Sequence, residues 1–393
     1  MNEKIRKGIA PNVILLGIVS MLNDISSEMI MPILPMFIES LGGSGLAVGV
    51  LGGVRDSLSS LLNVFSGYVA GKTGKKKIFV FSGYFTSSVF KVLLALSNTL
   101  GLAVVVSSLE RLGKGLRNAP RDAIIAESMP EHKGKAFGFH RAMDTSGAML
   151  GSVLALLILL FYKNNFKLIL IIAAALSVLC LIPITFVKEQ RTESQKGQAA
   201  ASARISRGLK IFLAIAATFS LGNFSYMFFV LRAKDFYPDK WTYILPVALY
   251  ILFNIVGAFA VYPLGVLGDK IGKKKVIILG YLFFTAACFG FDIVESTAGL
   301  AVLFAFYGIS VASVDSNQRA YVSDLAGGQS KSAALGFYHT AVGLAALPAG
   351  ILAGLLWKSK MTFVFGGIIG LICAVLFVIL VRFIEEKKRE SQT

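Results

Sequence analysis

Apolar runs of about twenty residues recur along the whole chain, and each is long enough to cross the hydrocarbon core of a bilayer. Inside that core the backbone must satisfy its own polar groups, so such runs fold as helices. The short alternating segments of a membrane barrel are absent. Composition agrees: 55% of the residues are hydrophobic and the mean hydropathy is +0.71, whereas a soluble domain is nearer 45–50% apolar, roughly. The expected class is an all-α polytopic membrane protein with 12 transmembrane helices. Their expected positions are about 12–40, 46–70, 77–98, 100–126, 134–162, 166–187, 209–233, 241–267, 275–293, 297–324, 332–357 and 361–383. Connections are short, which implies antiparallel neighbours. The exception is 188–208, KEQRTESQKGQAAASARISRG, which reads as a linker. It separates an N-terminal six-helix bundle (1–187) from a C-terminal one with a short tail (209–393).

Net charge is +17, from 39 Lys and Arg against 22 Asp and Glu. Such basicity can mark nucleic-acid binding, but here the basic residues sit in short loops, the pattern of a topology signal. No nucleic-acid partner is expected. One set of loops holds Lys72, Lys75, Lys76, Lys77, Lys133, Lys135, Arg191, Lys196, Arg204, Arg207, Lys270, Lys273, Lys274, Lys275, Lys387, Lys388 and Arg389. The opposite set holds only Lys163, Lys167, Arg232, Lys234, Lys240, Lys358 and Lys360. The bias predicts both termini and the linker in the cytoplasm, with the chain in the cell membrane. The basic start (Lys4, Arg6, Lys7) leads into a first span without a convincing cleavage site. Cys180, Cys288 and Cys373 lie in separate apolar runs and predict core packing, with no disulfide framework and no metal site.

The halves repeat. GYVAGKTGKKKI (67–78) matches GVLGDKIGKKKV (265–276) at a spacing of 198 (265 − 67). The same spacing takes Arg121 to Arg319, Lys133 to Lys331, Gly138 to Gly336 and Phe139 to Phe337. Two bundles of one orientation, related by an axis along the membrane normal, follow.

With these motifs the sequence resembles the major facilitator superfamily of secondary transporters, over essentially the whole chain. The family's loop motif, roughly G-x-L-A-D-R-x-G-R-R/K, is met by Gly67, Ala70, Lys72, Gly74, Lys75 and Lys76, with Gly71 in place of its Asp. It is met more fully by Gly265, Leu267, Asp269, Lys270, Gly272, Lys273 and Lys274. Arg111-x-x-x-Gly115 looks like the helix-4 motif, whose Arg the resemblance links to proton coupling. Pro32-Ile33-Leu34-Pro35 resembles a helix-1 motif of drug:proton antiporters. Gly147–Gly151 is a degraded form of the helix-5 antiporter motif, lacking its Pro. Gly67–Thr73 mimics a phosphate loop, but three residues separate its glycines where four are needed, so no ATP site is expected.

Charges inside the spans carry the functional expectation. In 107–129, Glu110, Arg111, Lys114, Arg117 and Arg121 fall on one helical face. Asp24, Arg55, Asp56, Glu110, Arg111 and Asp144 all lie near mid-span, and Glu28 is one turn from Asp24. Such groups are costly unless paired or hydrated. One reading is a neutralised network that holds the bundle together. The other is a proton site at Asp24, Glu28, Asp56 and Glu110, tuned by Arg111, because burial raises a carboxyl pKa and a cation lowers it. Asp144 is a weaker candidate. Substrate contacts are expected from Arg55, Lys114, Asn223, Phe224, Tyr226 and Tyr307; the resemblance implies that helices 1, 4, 7 and 10 line the cavity. Asn254 stands where the first half has Asp56. For each aromatic, a packing role is the alternative.

Two closures are expected. The spacing of 198 relates Arg117 to Asp315, predicting a gate; the alternative is a local Asp315–Arg319 pair. Arg121 and Arg319 belong to the same pair of helices. The resemblance also implies a latch between Asp269 and Arg141; its symmetry mates are Gly71 and His339, so one such latch is expected. His140 and His339 lie at helix ends and are expected to be packed or solvated in preference to switching with pH. Lys91 is expected to snorkel outward, and His132 to sit in a loop.

The expected function is proton-coupled secondary active transport of a small organic solute by alternating access, with export favoured. Protons are the expected coupling ion, with sodium the alternative. The cationic face of helix 4 motivates uptake of an organic anion instead. Outside transport, a membrane receptor or an intramembrane enzyme is opposed by the lack of a signalling domain and of a nucleophile–base or metal-ligand pattern. No cofactor is expected, and a monomer in the lipid bilayer is the working expectation.

Overall fold

The computed structural model describes residues 8–162, 165–189, 206–236, 241–326 and 331–390. Lys4, Arg6, Lys7, Lys163, Lys240 and most of the expected linker lie outside the described residues. Helices dominate, and the apolar runs account for them. The first unit holds α1 (Pro11–Ile30), α2 (Leu34–Ser40), α4 (Lys76–Leu96), α5 (Leu100–Ser128), α6 (Lys133–Phe161), α7 (Phe166–Leu179) and α8 (Leu181–Thr185). The second holds α9 (Arg207–Gly222), α10 (Met227–Lys234), α11 (Trp241–Ile271), α12 (Lys273–Ile293), α13 (Thr297–Leu325), α14 (Lys331–Trp357) and α15 (Thr362–Glu390). Helix α3 (Gly45–Thr73) is shared: residues 44–54 belong to the second compact unit and the rest to the first.

These helices make the twelve spans expected. Three spans are broken in the middle. Pro32 lacks the N–H that would continue α1, and the chain restarts as α2 with Pro35 in its first turn. Pro183 sits within α8, and the span of α9 and α10 opens at Asn223 to Tyr226. Ten spans are apolar enough to cross a membrane by length and composition. The two that are not, α3 and α5, are the ones that carry Arg55, Asp56, Glu110, Arg111 and Lys114. Large apolar side chains such as Phe161, Phe259, Tyr262 and Ile293 stand exposed, as residues of a lipid-embedded helix can.

The cores differ. The first unit packs aliphatics (Val13, Leu16, Val19, Val80, Ile124, Ile125) around Tyr84. The second packs aromatics, including Phe212, Phe219, Phe224, Phe228, Phe229, Phe284, Phe291 and Phe377. All three cysteines are free and buried. In the second unit, Gly45, Gly49 and Gly53 lie at backbone contact with Gly354, Gly350 and Ala346 of α14; a Cβ at Gly49 would overlap the Gly350 carbonyl.

The repeat shifts by one residue. Helices α4 and α12 start 197 residues apart (273 − 76) and are equally long, and α5 and α13 match at the same offset (297 − 100). Side-chain contacts confirm it. Gly83 faces Gly113 and Arg117, and Gly280 faces Ser310 and Val314. Lys76 pairs with Glu127, and Lys273 pairs with Asp324 at 2.7 Å. Helices α6 and α14 start 198 apart (331 − 133). Arg117 is therefore equivalent to Val314, not to Asp315, and Arg121 to Gln318, not to Arg319.

The loop motif's glycine has a conformational reason in both halves. Gly74 has φ of 70° and Gly272 of 100°, a region that side chains disfavour by about 1–2 kcal/mol. Replacing either with Ala is expected to lower thermal stability in detergent by about 1 kcal/mol, whereas Gly71→Ala, where a Cβ meets nothing, is expected to be neutral. Equal melting temperatures for all three variants would remove this account.

Candidate functional site

The first unit concentrates charge on its two least apolar spans, α3 and α5. Glu110 is 5% exposed and its Oε2 faces two guanidiniums, Arg55 Nη2 at 3.4 Å and Arg111 Nε at 3.6 Å. Arg55 Nη1 donates to the Ser107 carbonyl (2.7 Å) and to Ser107 Oγ (3.2 Å). Both arginines also reach Met31 Sδ, Arg111 Nη2 at 2.8 Å and Arg55 Nη2 at 3.5 Å. Helix α5 supplies Glu110 and Arg111 as neighbours, and α3 brings Arg55 against them. One carboxylate set between two guanidiniums is a clamp that ties α3 to α5.

A second group is more accessible. Asp56 and Lys114 are exposed, and Asp24 and Glu28 are half-buried. Arg111, Arg55 and Lys114 lie within electrostatic reach of Asp56; Arg111, Asp24, Arg117 and Glu28 lie within reach of Lys114. Asp24 and Glu28 on α1, Asp56 on α3, and Arg111 and Lys114 on α5 thus form one mixed-charge field. The acids and bases read from sequence are brought together, with Glu110 on its buried side and Asp56 on its open side.

Lys91 departs from expectation. It is 1% exposed and points into the bundle. Its Nζ lies 3.2 Å from Asn23 Oδ1, 3.0 Å from Ser26 Oγ, 2.9 Å from Ser27 Oγ and 3.4 Å from the Asn23 carbonyl. Four oxygen acceptors replace the hydration an ammonium loses on burial; outward snorkelling would have abandoned them. A void of about 10 Å³ among Ser27, Ile30, Arg55, Lys91, Leu94 and Glu110 has room for roughly one water. The signal was present in the sequence: Ser87, Ser88 and Lys91 form a polar stripe on α4, and Asn23, Ser26 and Ser27 form one on α1.

The expected gate residues are occupied locally. Arg117 is buried, donates to Ser87 Oγ at 2.8 Å and lies 4.4 Å over the Tyr84 ring. Asp315 pairs with Arg319 one turn away, and Arg319 Nε donates to the Asp315 carbonyl at 3.0 Å. The gate's basis in equivalent positions falls with the one-residue shift. Arg121 pairs with Asp122 (2.9 Å) and donates to Ser20 Oγ (3.2 Å). Asp269 and Arg141 are each exposed on their own unit.

In the second unit the expected solute contacts divide. Phe224 is 2% exposed and stacks on Phe229 at 5.5 Å; Tyr307 is 5% exposed, between Phe229 (4.2 Å) and Phe253 (4.9 Å). Both are core residues, because the aromatic cluster closes around them. Asn223 and Tyr226 are half-buried at the break between α9 and α10. Asn223 Oδ1 and Asn254 Nδ2 are buried without a hydrogen-bond partner among the described residues. A cavity of about 360 Å³ lies at the helix ends, lined by Arg232, Asp235, Asp292, Trp357, Lys358, Lys360, Thr362 and Phe363.

The family profile described as Major Facilitator Superfamily matches residues 16–257 and 211–393. An uncharacterized MFS-type transporter of Methanocaldococcus jannaschii is 49% identical over 382 residues, spanning 95% of this chain and 96% of that protein. Multidrug resistance protein MdtH of Shigella dysenteriae is 26% identical over 167 residues, 41% of each chain. Among solved structures, nucleoside transporter NupG superposes with a TM-score of 0.82 at 14% identity, covering 94% of this chain and 99% of its own. A bacterial homologue of the human lysosomal transporter Spinster gives 0.74 at 12% identity, over 94% and 96%.

The clamp carries a stability prediction. Glu110→Gln leaves two buried guanidiniums without their shared carboxylate and is expected to destabilise the protein by about 3 kcal/mol. Asp56→Asn, on the open side, is expected to change stability by less than about 1 kcal/mol. Unfolding in mixed detergent, followed by tryptophan fluorescence, measures both; equal losses would contradict the distinction.

Proposed function

Because the chain belongs to the major facilitator superfamily, we propose that it is a proton-coupled secondary transporter that exports a small organic solute by alternating access. It works in the cell membrane with both termini in the cytoplasm. The observation that carries this reading is the mixed-charge field of Asp24, Glu28, Asp56, Arg111 and Lys114, set in spans that are otherwise apolar. A carboxylate poised between burial and a nearby cation can take a proton in one state and give it up in another. Similarity to a multidrug resistance protein supports export. The unpartnered amide atoms of Asn223 and Asn254 supply an acceptor and a donor for an organic solute. Asp269 and Arg141 remain the proposed latch.

Uptake of an organic anion is the second reading, favoured by the exposed Lys114 beside Arg111.

Purified protein in vesicles with a lumenal pH dye, challenged with a panel of cationic drugs and organic anions, tests both readings. Cationic drugs are expected to drive proton counter-movement, and Asp24→Asn and Asp56→Asn to abolish it. Proton movement with anions alone supports the second reading. Solute movement with no proton movement, unaltered in both variants, contradicts proton coupling.

A further inference from the structure

A polar chain crosses the first unit from α4 to α6. Ser20 Oγ on α1 lies 2.9 Å from Tyr84 Oη and 3.0 Å from His140 Nε2, and it accepts from Arg121 Nη1. His140 Nδ1 lies 3.4 Å from Asp144 Oδ2. Asp144 Oδ1 is buried and has no hydrogen-bond partner among the described residues. An orphaned carboxylate oxygen in an apolar span is costly, and protonation removes the charge behind that cost.

The second unit holds a neutral copy of this chain. Gln318 Nε2 donates to Tyr281 Oη at 2.7 Å, and Tyr338 Oη donates to Gln318 Oε1 at 2.7 Å. Tyr281 and Gln318 are the equivalents of Tyr84 and Arg121 at the offset of 197, and Tyr338 of His140 at 198. Val342 stands where Asp144 would be. A purely structural bridge is thus available without an imidazole or a carboxylate. The first unit instead carries an imidazole and a carboxylate at these places.

We infer that Asp144 is a proton-binding site of this protein, with His140, Ser20 and Tyr84 as its relay; the inference deepens the proton-coupled reading and rests on it for its role in transport. The relay balances. A proton arriving at Tyr84 Oη releases the phenol's own proton to Ser20 Oγ. The serine proton passes to His140 Nε2, and the Nδ1 proton passes to Asp144 Oδ2. The imidazole ends neutral in its other tautomer, and the carboxylate ends as a neutral acid. The groups that face the site are Asp24 from α1, Tyr84 from α4, Arg117 and Arg121 from α5, and Arg141 from α6. The α6 backbone lies on α1 there. A Cβ at Gly147 would come within 2.6 Å of the Met21 carbonyl, and one at Gly151 would overlap that of Ile25. This close approach seats Asp144, one turn before Gly147, beside the helix that carries Asp24.

Infrared difference spectra of the full-length protein in lipid, between alkaline and acidic buffer, read the protonated carboxyl stretch directly. The wild type is expected to show a band that Asp144→Asn removes, Asp144→Glu retains at a shifted frequency, and His140→Gln retains with a shifted titration midpoint. A band unchanged in Asp144→Asn, or lost only in Asp24→Asn, overturns the assignment. If Asp144→Asn does not fold, an identical band and midpoint in Asp144→Glu and His140→Gln overturns it. The vesicle assay separates this site from the broader reading. Wild-type solute movement without protons defeats the coupled transporter, whereas the infrared band decides the site by itself.

Discussion

A cation inside an apolar bundle must be met by an anion or by oriented dipoles, and the first unit depends on how its buried mid-span cations are met. Arg55 and Arg111 share Glu110; Arg117 lies on the Tyr84 ring; Lys91 is surrounded by asparagine and serine oxygens. These pairings bring α1, α3, α4 and α5 to the same depth. The acids Asp24, Glu28 and Asp56 are less buried than Glu110.

The duplication sharpens this division of labour. Both units keep a lysine of the loop motif paired to a carboxylate on the span after next, and both keep a glycine with positive φ between the same two helices. Both keep a tyrosine-centred polar chain. The first unit fills these inherited positions with Arg, His and Asp, and the second with Gln, Tyr and Val. The second unit's interior is instead closed by aromatic rings, from Phe212 to Phe377. The buried ion pairs therefore gather in one half and the aromatic packing in the other.

Much of this was legible in the residues. Apolar run length located the spans, because a bilayer sets that length. Mid-span acids and bases named the charged field, since no other feature of those helices could explain them. What the residues did not carry was direction. Lys91 turns inward because Asn23, Ser26 and Ser27 on α1 await it, and a helix does not declare its neighbours. Phe224 and Tyr307 look like cavity lining until the rings around them are counted. The repeat misled in one place. Gly101–Val104 and Gly299–Val302 share the letters GLAV at a spacing of 198, yet α5 and α13 correspond at 197, which moves Arg117 away from Asp315. Letter matches record descent, whereas side-chain contacts record register. The relay through Ser20 was hidden because a lone serine in a span carries no pattern.

Proton-coupled transport, as proposed, links solute binding and proton binding through the acids of the first unit. Calorimetry of solute binding to the purified protein, repeated in buffers of different ionisation enthalpy, counts the protons exchanged on binding. A cationic drug is expected to displace protons in the wild type, so that the apparent enthalpy varies with the buffer, and the variation is expected to disappear when Asp24 and Asp56 are both made Asn. An apparent enthalpy independent of buffer in the wild type would contradict it.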